Sequence, residues 1–381
     1  MRRAPHGMPR ALLWLATALL YVAAPVAGQD AAADAGVMGD SDLLPWEFHK
    51  RDGSFRWEGL HNDLPSLLKA QAINNAIALV VFNHGFAPIA LNCIVSLVRF
   101  GKAHNYIVAA VGDASVAHCT ELRLPCYNAT RVVKHKDFKM EHSTEGDAGR
   151  NTQEWFNLVW AKTLVTDAIF EQGYDVLFFD ADIVFLKEAF PNYNRFLDEY
   201  NADGTFMTEA RIKNNSDGTT SVSKYLNSGN FFIRNNFRTR EMMTEWIVGY
   251  FQQGNKNGNQ LWLNWMKHHP GSPYDTCETR EECTALKNKG IAAIKPHPSQ
   301  FDGRAQMCLP DGFKDICDDR RAYVHAVCLS GGHAKRRALE KLGLWFIHVY
   351  SMPDDISVRV PAASGLPCAS QGAWRSTTDG L

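Results

Sequence analysis

The stretch YDVLFFDADIVF, residues 174–185, sets Asp180 and Asp182 one residue apart at the end of an apolar run. A pair of carboxylates in that position can hold a hard cation, attack a phosphorus centre, or cap the turn that follows. On extended chain, residues two apart point roughly the same way. The pair can therefore share one Mg²⁺ or Mn²⁺ and leave positions open to phosphate oxygens. A calcium loop of the helix-loop-helix type is excluded, because Val184 and Phe185 stand where further oxygen ligands and a glycine are required.

Such a pair needs elements to hold it. AIALVVF (76–82) is an unbroken apolar run of strand length, followed by NHGF and a helical stretch in which Ile94, Leu97 and Val98 share one face. NYIVAAV (105–111) ends at Gly112-Asp113 and reads as a second buried strand. Phe156, Val159, Trp160 and Leu164 recur at helical spacing over about Gln153 to Gln172, with Gly173 at the stop position. The aspartate strand comes next. NSGNFFIR puts Asn227, Ser228 and Gly229 ahead of another apolar strand; glycine permits close backbone approach, and asparagine can bond sugar hydroxyls. Met242, Met243, Trp246, Ile247, Tyr250 and Phe251 share a helix face and read as core. Apolar strands alternating with helices predict an α/β fold, a mixed, mostly parallel sheet with helices on both faces. Ligands bind such sheets beyond the carboxyl ends of strands, which is where Asp180 and Asp182 fall.

Hydrophobic residues make up 45% of the 381, enough to bury a large core, and the formal net charge of -1 offers no basic field for nucleic acid. Residues 1–28 read as a signal peptide or signal anchor. Arg2, Arg3 and Arg10 precede the apolar run, and Val26, Ala27 and Gly28 precede Gln29. Retained, residues 11–27 would anchor the chain in a membrane. Residues 29–71 mix Ala, Asp and Gly without period and read as a stem or linker. The folded domain is expected over 72–350, with 351–381 as a C-terminal tail. Nine cysteines include three close pairs, Cys119 with Cys126, Cys277 with Cys283 and Cys308 with Cys317, consistent with an oxidising lumen. Bridges are expected at Cys277–Cys283 and Cys308–Cys317, while Cys93, inside a helical stretch, reads as a buried small hydrophobe. Sequons at Asn128 and Asn214 would be surface loop positions if used.

Taken in order, FAPIALNCIVSLVRFG, NYIVAAVGD, LPCYN, WAKTLVTDAIFEQGYDVLFFDADIVFLK, LNSGNFFIR, NQLWLN and VHAVCLSGGHAKRRALEKLGLW resemble the nucleotide-diphospho-sugar transferase family. That family includes plant pectin xylosyltransferases and cell-wall arabinosyltransferases. The resemblance spans about residues 76–345 and is most specific from Trp160 to Lys187. It implies a GT-A-like fold in a single nucleotide-sugar-binding domain, with Mn²⁺, or alternatively Mg²⁺, as cofactor. The implied reaction is anomer-retaining transfer from a nucleotide-sugar donor, UDP-linked as first choice, to a glycan or glycoprotein acceptor. A Golgi lumen or type II membrane location in the secretory pathway goes with it.

The resemblance also assigns roles. Asp182 coordinates the metal; Asp180 does so through water or contacts the donor ribose; His325 supplies the third ligand, with His333 in the same loop as a second candidate. Lys162 faces the donor, and Asn227, Ser228 and Gly229 line its sugar. Gly331, Gly332 and Lys335 form a small-residue turn and a cation that could meet the β-phosphate. Asn227, Asn259 and Gln260 are the catalytic candidates, but the family commonly has aspartate where Asn259 stands. That departure keeps open a sugar-binding protein without turnover. A phosphatase of the haloacid dehalogenase type also ends an apolar strand in Asp-x-Asp, but normally opens its domain with it, whereas two strands precede it here. Without a cation the acidic pair repels itself, so Asp182→Asn is expected to leave the metal-free fold intact or slightly more stable.

Overall fold

The computed structural model describes residues 55–133, 152–214, 220–253, 258–298, 322–327, 329–349 and 357–358. AIALVVF has no polar residue and becomes a strand covered on both faces. Ala78, Val80 and Phe82 enter one core layer, and Ile77 and Leu79 the other. The described elements run α1 (Leu64–Gln71), β1 (Ala76–Phe82), α2 (Ala87–Arg99), β2 (Tyr106–Ala110), α3 (Asp113–Glu121), β3 (Cys126–Asn128), α4 (Thr130–Val133) and α5 (Gln153–Glu171). Then follow β4 (Asp175–Phe179), β5 (Ile183–Phe185), α6 (Ala189–Tyr200), β6 (Gly204–Asn214), β7 (Thr220–Ile233), α7 (Phe237–Gln253) and α8 (Asn259–Lys267). Last come β8 (Tyr274–Thr276), α9 (Arg280–Asn288), β9 (Ala292–Ile294), β10 (His297–Pro298), β11 (Tyr323–His325), α10 (Gly332–Lys341), β12 (Ile347–Val349) and β13 (Ser357–Val358).

The main sheet has the order β3-β2-β1-β4-β7-β6-β9-β8, with β10 paired to β6. β7 runs antiparallel to β4 and β6, and the other pairings in this sheet are parallel. The expected α/β class and mixed sheet are what is found. The first core layer takes residues from α2, α3 and α6, the second from α1, α5, α7 and α8, so helices cover both faces. α5 begins at its expected residue, capped by Thr152, and ends before Gly173, whose φ of +92° suits a helix stop.

Three expectations need correction. The stem reading fails for its last part: Trp57, Leu64, Leu67 and Leu68 are buried in the second layer, and α1 is capped by Asp63. The α7 face buries Met242, Met243, Trp246 and Tyr250, with Ile247 partly covered, but leaves Phe251 53% exposed. Asn128 ends a sheet-edge strand rather than lying in a loop, and its amide donates to Asn62 Oδ1 at 3.2 Å. Residues 1–28, the 29–54 part of the stem, Cys308 and Cys317 fall outside the described residues, as does nearly all of 351–381.

Two disulfides are present among the described residues. Cys119 of α3 is bridged to Cys126 of β3, and Cys277, just past β8, to Cys283 of α9. Cys93 is free and buried, as expected.

A buried polar chain crosses the first layer. His297 is hydrogen-bonded through Nδ1 to Thr205 Oγ1 at 2.7 Å and through Nε2 to Tyr323 OH at 2.9 Å. Burial pushes its imidazole down to about 3, against an ordinary 6.5. The folded state thus refuses a proton that the unfolded chain accepts below 6.5. His297 contributes stability at neutral pH that is lost as pH falls from 6.5 towards 3, at up to about 1.4 kcal/mol per pH unit. Asp167, pushed up from 3.8 to about 6 by burial and then by Glu171, works in the opposite sense between those two values, inside that window. The check is to compare slopes of unfolding free energy against pH for wild type and His297→Gln. Wild type is expected to fall more steeply between pH 6.5 and 4; equal slopes would show that His297 titrates normally.

Candidate active site

Asp180 directly follows β4, at its carboxyl end, and its backbone N–H donates to Gly229 O at 2.7 Å. A turn closed by Ile183 N–H to Asp180 O, 3.1 Å, leads into β5. β11 pairs antiparallel with β5, setting His325 opposite Ile183 and Ala326 N–H on Asp182 O at 3.0 Å. Chain distant in sequence thereby brings His325 Nε2 to 3.2 Å from Asp182 Oδ1 and 3.9 Å from Asp180 Oδ2. One ligand atom from each of the three residues lies within 4.8 Å of the others. His325 Nδ1 is buried and finds no hydrogen-bond partner among the described residues.

Lysines hold the outer oxygens. The buried Lys162 of α5 donates to Asp180 Oδ1 at 3.0 Å and lies 5.1 Å from the centre of the Phe178 ring. Lys335 of α10 donates to Asp182 Oδ2 and to Ala326 O, the latter at 2.9 Å. Each carboxylate therefore keeps one oxygen on a lysine and turns the other towards His325. Burial of Asp182 acts to raise its pKa, but the Lys335 ammonium and His325 outweigh it and hold the carboxyl far below the usual range. Two carboxylate oxygens and an imidazole nitrogen suit Mn²⁺ or a similar divalent ion.

β7 has a bulge at this point. Phe206 pairs with Phe231 but its neighbour Met207 pairs with Asn227, so Ser228, Gly229 and Asn230 have no partners across β6. Asn227, Ser228 and Gly229 thus lie within a strand that begins at Thr220, not ahead of one. Gly229 faces the cluster so closely that a Cβ there would sit 2.5 Å from Asp180 Oδ2 and 2.7 Å from His325 Cε1. Side chains pin the bulge. Gly229 N–H donates to Asn227 Oδ1 at 2.6 Å, Ser228 N–H to Gln260 Oε1 at 3.1 Å, and Ser228 Oγ to Asn259 Oδ1 at 3.2 Å.

The structure thus gathers Asp180, Asp182, His325, Lys162, Lys335 and Gly229. Asn259 sits beneath the bulge instead, 2% exposed, with its amide donating to Thr163 Oγ1 at 3.0 Å. Gly331, with φ +81°, leads into α10. Gly332 and Arg336, flanking Lys335 on that helix, line a cavity of about 460 Å³ together with His84, His118, His333 and Trp345. His333 is exposed on this cavity and is not part of the aspartate cluster. His84 Nδ1 and His118 Nδ1 are 3.1 Å apart, and burial, then His84, lower the His118 pKa. His84, His118, Thr163 and Asn230 escaped the sequence reading, since nothing in their local spacing marks them.

A profile of the nucleotide-diphospho-sugar transferases matches residues 101–339, more than half of the chain and including every residue of the cluster. The chain belongs to that family. The Arabidopsis thaliana protein "Arabinosyltransferase RRA2" is 26% identical to this transferase over 165 residues, 43% of this chain. The match spans about a third of that relative's length, 35%. Among solved structures, the glycosyltransferase GlyE of Streptococcus pneumoniae TIGR4 aligns over 70% of this chain and 60% of its own, at 11% identity and TM-score 0.37. The galactosyltransferase LgtC, in complex with donor and acceptor sugar analogues, aligns over 78% and 99%, at 13% identity and TM-score 0.34. Scores that low carry no argument about the site, which rests on its own geometry and on the family.

Proposed function

We propose that this nucleotide-diphospho-sugar transferase moves a sugar from a nucleotide diphosphate donor, UDP-linked as first choice, to a glycan or glycoprotein acceptor. The observation that carries this reading is the convergence of Asp180 Oδ2, Asp182 Oδ1 and His325 Nε2; a cavity of about 460 Å³ is lined by Gly332 and Arg336, on the helix that carries Lys335 to this cluster. Those three residues would hold Mn²⁺ or Mg²⁺, and the bound ion would stabilise negative charge on the departing diphosphate. The cavity would take the nucleoside. Gly332 and Arg336 line it while Lys335, between them on α10, reaches the cluster, which supports placing the nucleoside on one side of that helix turn and the diphosphate on the other.

The remaining residues have parts in this proposal. Lys335 exchanges Asp182 for the β-phosphate when donor enters, and Lys162 keeps Asp180 oriented. Gly229 leaves room for the Asp180 and His325 side chains to converge, and Asn227 and Gln260 offer hydrogen bonds to sugar or acceptor. Retention by front-side attack needs no protein nucleophile, because the leaving phosphate can accept the acceptor's proton. Asn259 supports this reading: its amide donates to Thr163 and accepts from Ser228, and a carboxylate could not donate. The amide therefore suits a supporting role beneath the bulge, and activity does not hinge on a charge there.

A secretory lumen, Golgi in the first instance, is the compartment proposed, supported by the two disulfides. No helix among the described residues is long and apolar enough to cross a membrane; residues 11–27 lie outside them.

A panel of nucleotide sugars, each incubated with the protein and Mn²⁺, tests the proposal. Nucleoside diphosphate release from one of them, abolished by chelation, is the expected outcome. Release of inorganic phosphate from phosphomonoesters would point to a phosphatase instead, and donor binding without any turnover would point to a lumenal sugar-binding protein.

A further inference from the structure

The bulge and the histidine strand share one buried support in the first core layer. Asn230, the last bulge residue, accepts a hydrogen bond from Tyr193 OH at 2.6 Å. Tyr193, on α6, is 7% exposed and packs its ring on Phe232 and on His297, with centroids 5.9 and 5.7 Å apart. His297 in turn is hydrogen-bonded to Tyr323 OH at 2.9 Å. Tyr323 opens β11, two residues before His325 and so on the same side of that strand. One arm of this support thus ends one residue from Gly229, whose carbonyl receives the Asp180 N–H, and the other ends two residues from His325. The two arms meet where Tyr193 touches His297.

We infer that Tyr193, with His297 and Tyr323, is a positioning group that sets the separation between the Asp180 side of the cluster and His325, and with it the affinity for the divalent ion. The inference rests on the metal reading given above. None of these side chains touches the cluster, so their effect passes through backbone. The bulge is laddered to β4 through Asn230 and Gly229 but has no partner on β6, which leaves its β6 side to the side chains that pin it. β11 has three residues and pairs with a three-residue strand, so it too is set by what packs against it. Groups that orient metal ligands typically change metal affinity about 10- to 100-fold when removed.

The experiment is a calorimetric titration of Mn²⁺ into wild type, Tyr193→Phe and Tyr323→Phe, with Tyr274→Phe as control. Each change removes a hydroxyl and keeps the ring. Tyr274 is also fully buried and donates to Leu263 O, but on the other core layer, remote from the cluster. The expected result is that Tyr193→Phe and Tyr323→Phe weaken Mn²⁺ about 10-fold, whereas Tyr274→Phe lowers the melting temperature and leaves Mn²⁺ affinity unchanged. Should Tyr193→Phe fail to fold, Tyr323→Phe tests the same support from its other arm. If wild type binds Mn²⁺ and both variants match it, the positioning role is overturned while the metal reading stands. If wild type takes up no Mn²⁺, both are overturned together.

Discussion

Asp182→Asn is expected to reduce transfer at least about 1,000-fold. In the proposed reaction, which expels diphosphate, a bound ion would lower the barrier by several kcal/mol, and each 1.4 kcal/mol is about tenfold in rate. An amide offers one neutral oxygen where a carboxylate offered charge, and divalent affinity depends on ligand charge and number. The structure changes the expected effect on stability. An unopposed acidic pair would be relieved by the substitution, but Asp182 is opposed: Lys335 and His325 both contact it, and the Lys335 side chain is only 14% exposed. Asparagine leaves that ammonium without its anion but still with Ala326 O and an amide acceptor. The metal-free variant should therefore lose on the order of 1–3 kcal/mol and melt a few degrees lower, rather than gain. Turnover and melting temperature, each measured with and without Mn²⁺, check both statements. Near-parental turnover would refute the metal role, and a raised melting point without metal would show that repulsion between the carboxylates governs the empty site.

Gly229→Ala should have the second largest effect. Its backbone is not in the left-handed region, so the demand is for space: the added methyl would meet Asp180 Oδ2, His325 Cε1 and Asn227 Oδ1 all within 2.8 Å. Something must shift. Asp180, with 36% of its side chain exposed, is the one able to turn outward, and doing so breaks its bond to Lys162 and withdraws a ligand. Mn²⁺ affinity is expected to fall at least about 10-fold and transfer by more, with melting temperature changed far less. A variant that binds Mn²⁺ as wild type does would mean that the bulge can back away from the cluster.

Much of this was legible in the sequence, and the reasons differ by residue. β1 runs from Ala76 to Phe82 as expected, because a strand covered on both faces must be apolar throughout. Asp180 and Asp182 stood out because strand ends in α/β sheets are where ligands bind, and His325 through the family resemblance, with Gly331, Gly332 and Lys335 after it as support. Leu64, Leu67 and Leu68 carried a helical period behind a capping Asp63, and α1 could have been read from them. The polar residues around them hid it. The bulge could not be read, because whether Ser228–Asn230 loop out depends on how β6 pairs with β7. Tyr193 and His297 were equally silent, since a buried tyrosine hydroxyl or imidazole shows its purpose only through its partners, here 37 and 26 residues away respectively.

The two disulfides stand at opposite ends of the main sheet, one joining the edge strand β3 to α3, the other fastening α9 beside the edge strand β8. An edge strand presents unpaired amide and carbonyl groups to any other chain that passes, and proteins guard such edges with short strands and covering elements. Both edges here have three residues and a helix held against or next to them by a covalent link. The aspartate cluster lies at β4, well inside the sheet. Loss of the bridges is accordingly expected to loosen the two rims of the sheet before it disturbs the cluster at its centre.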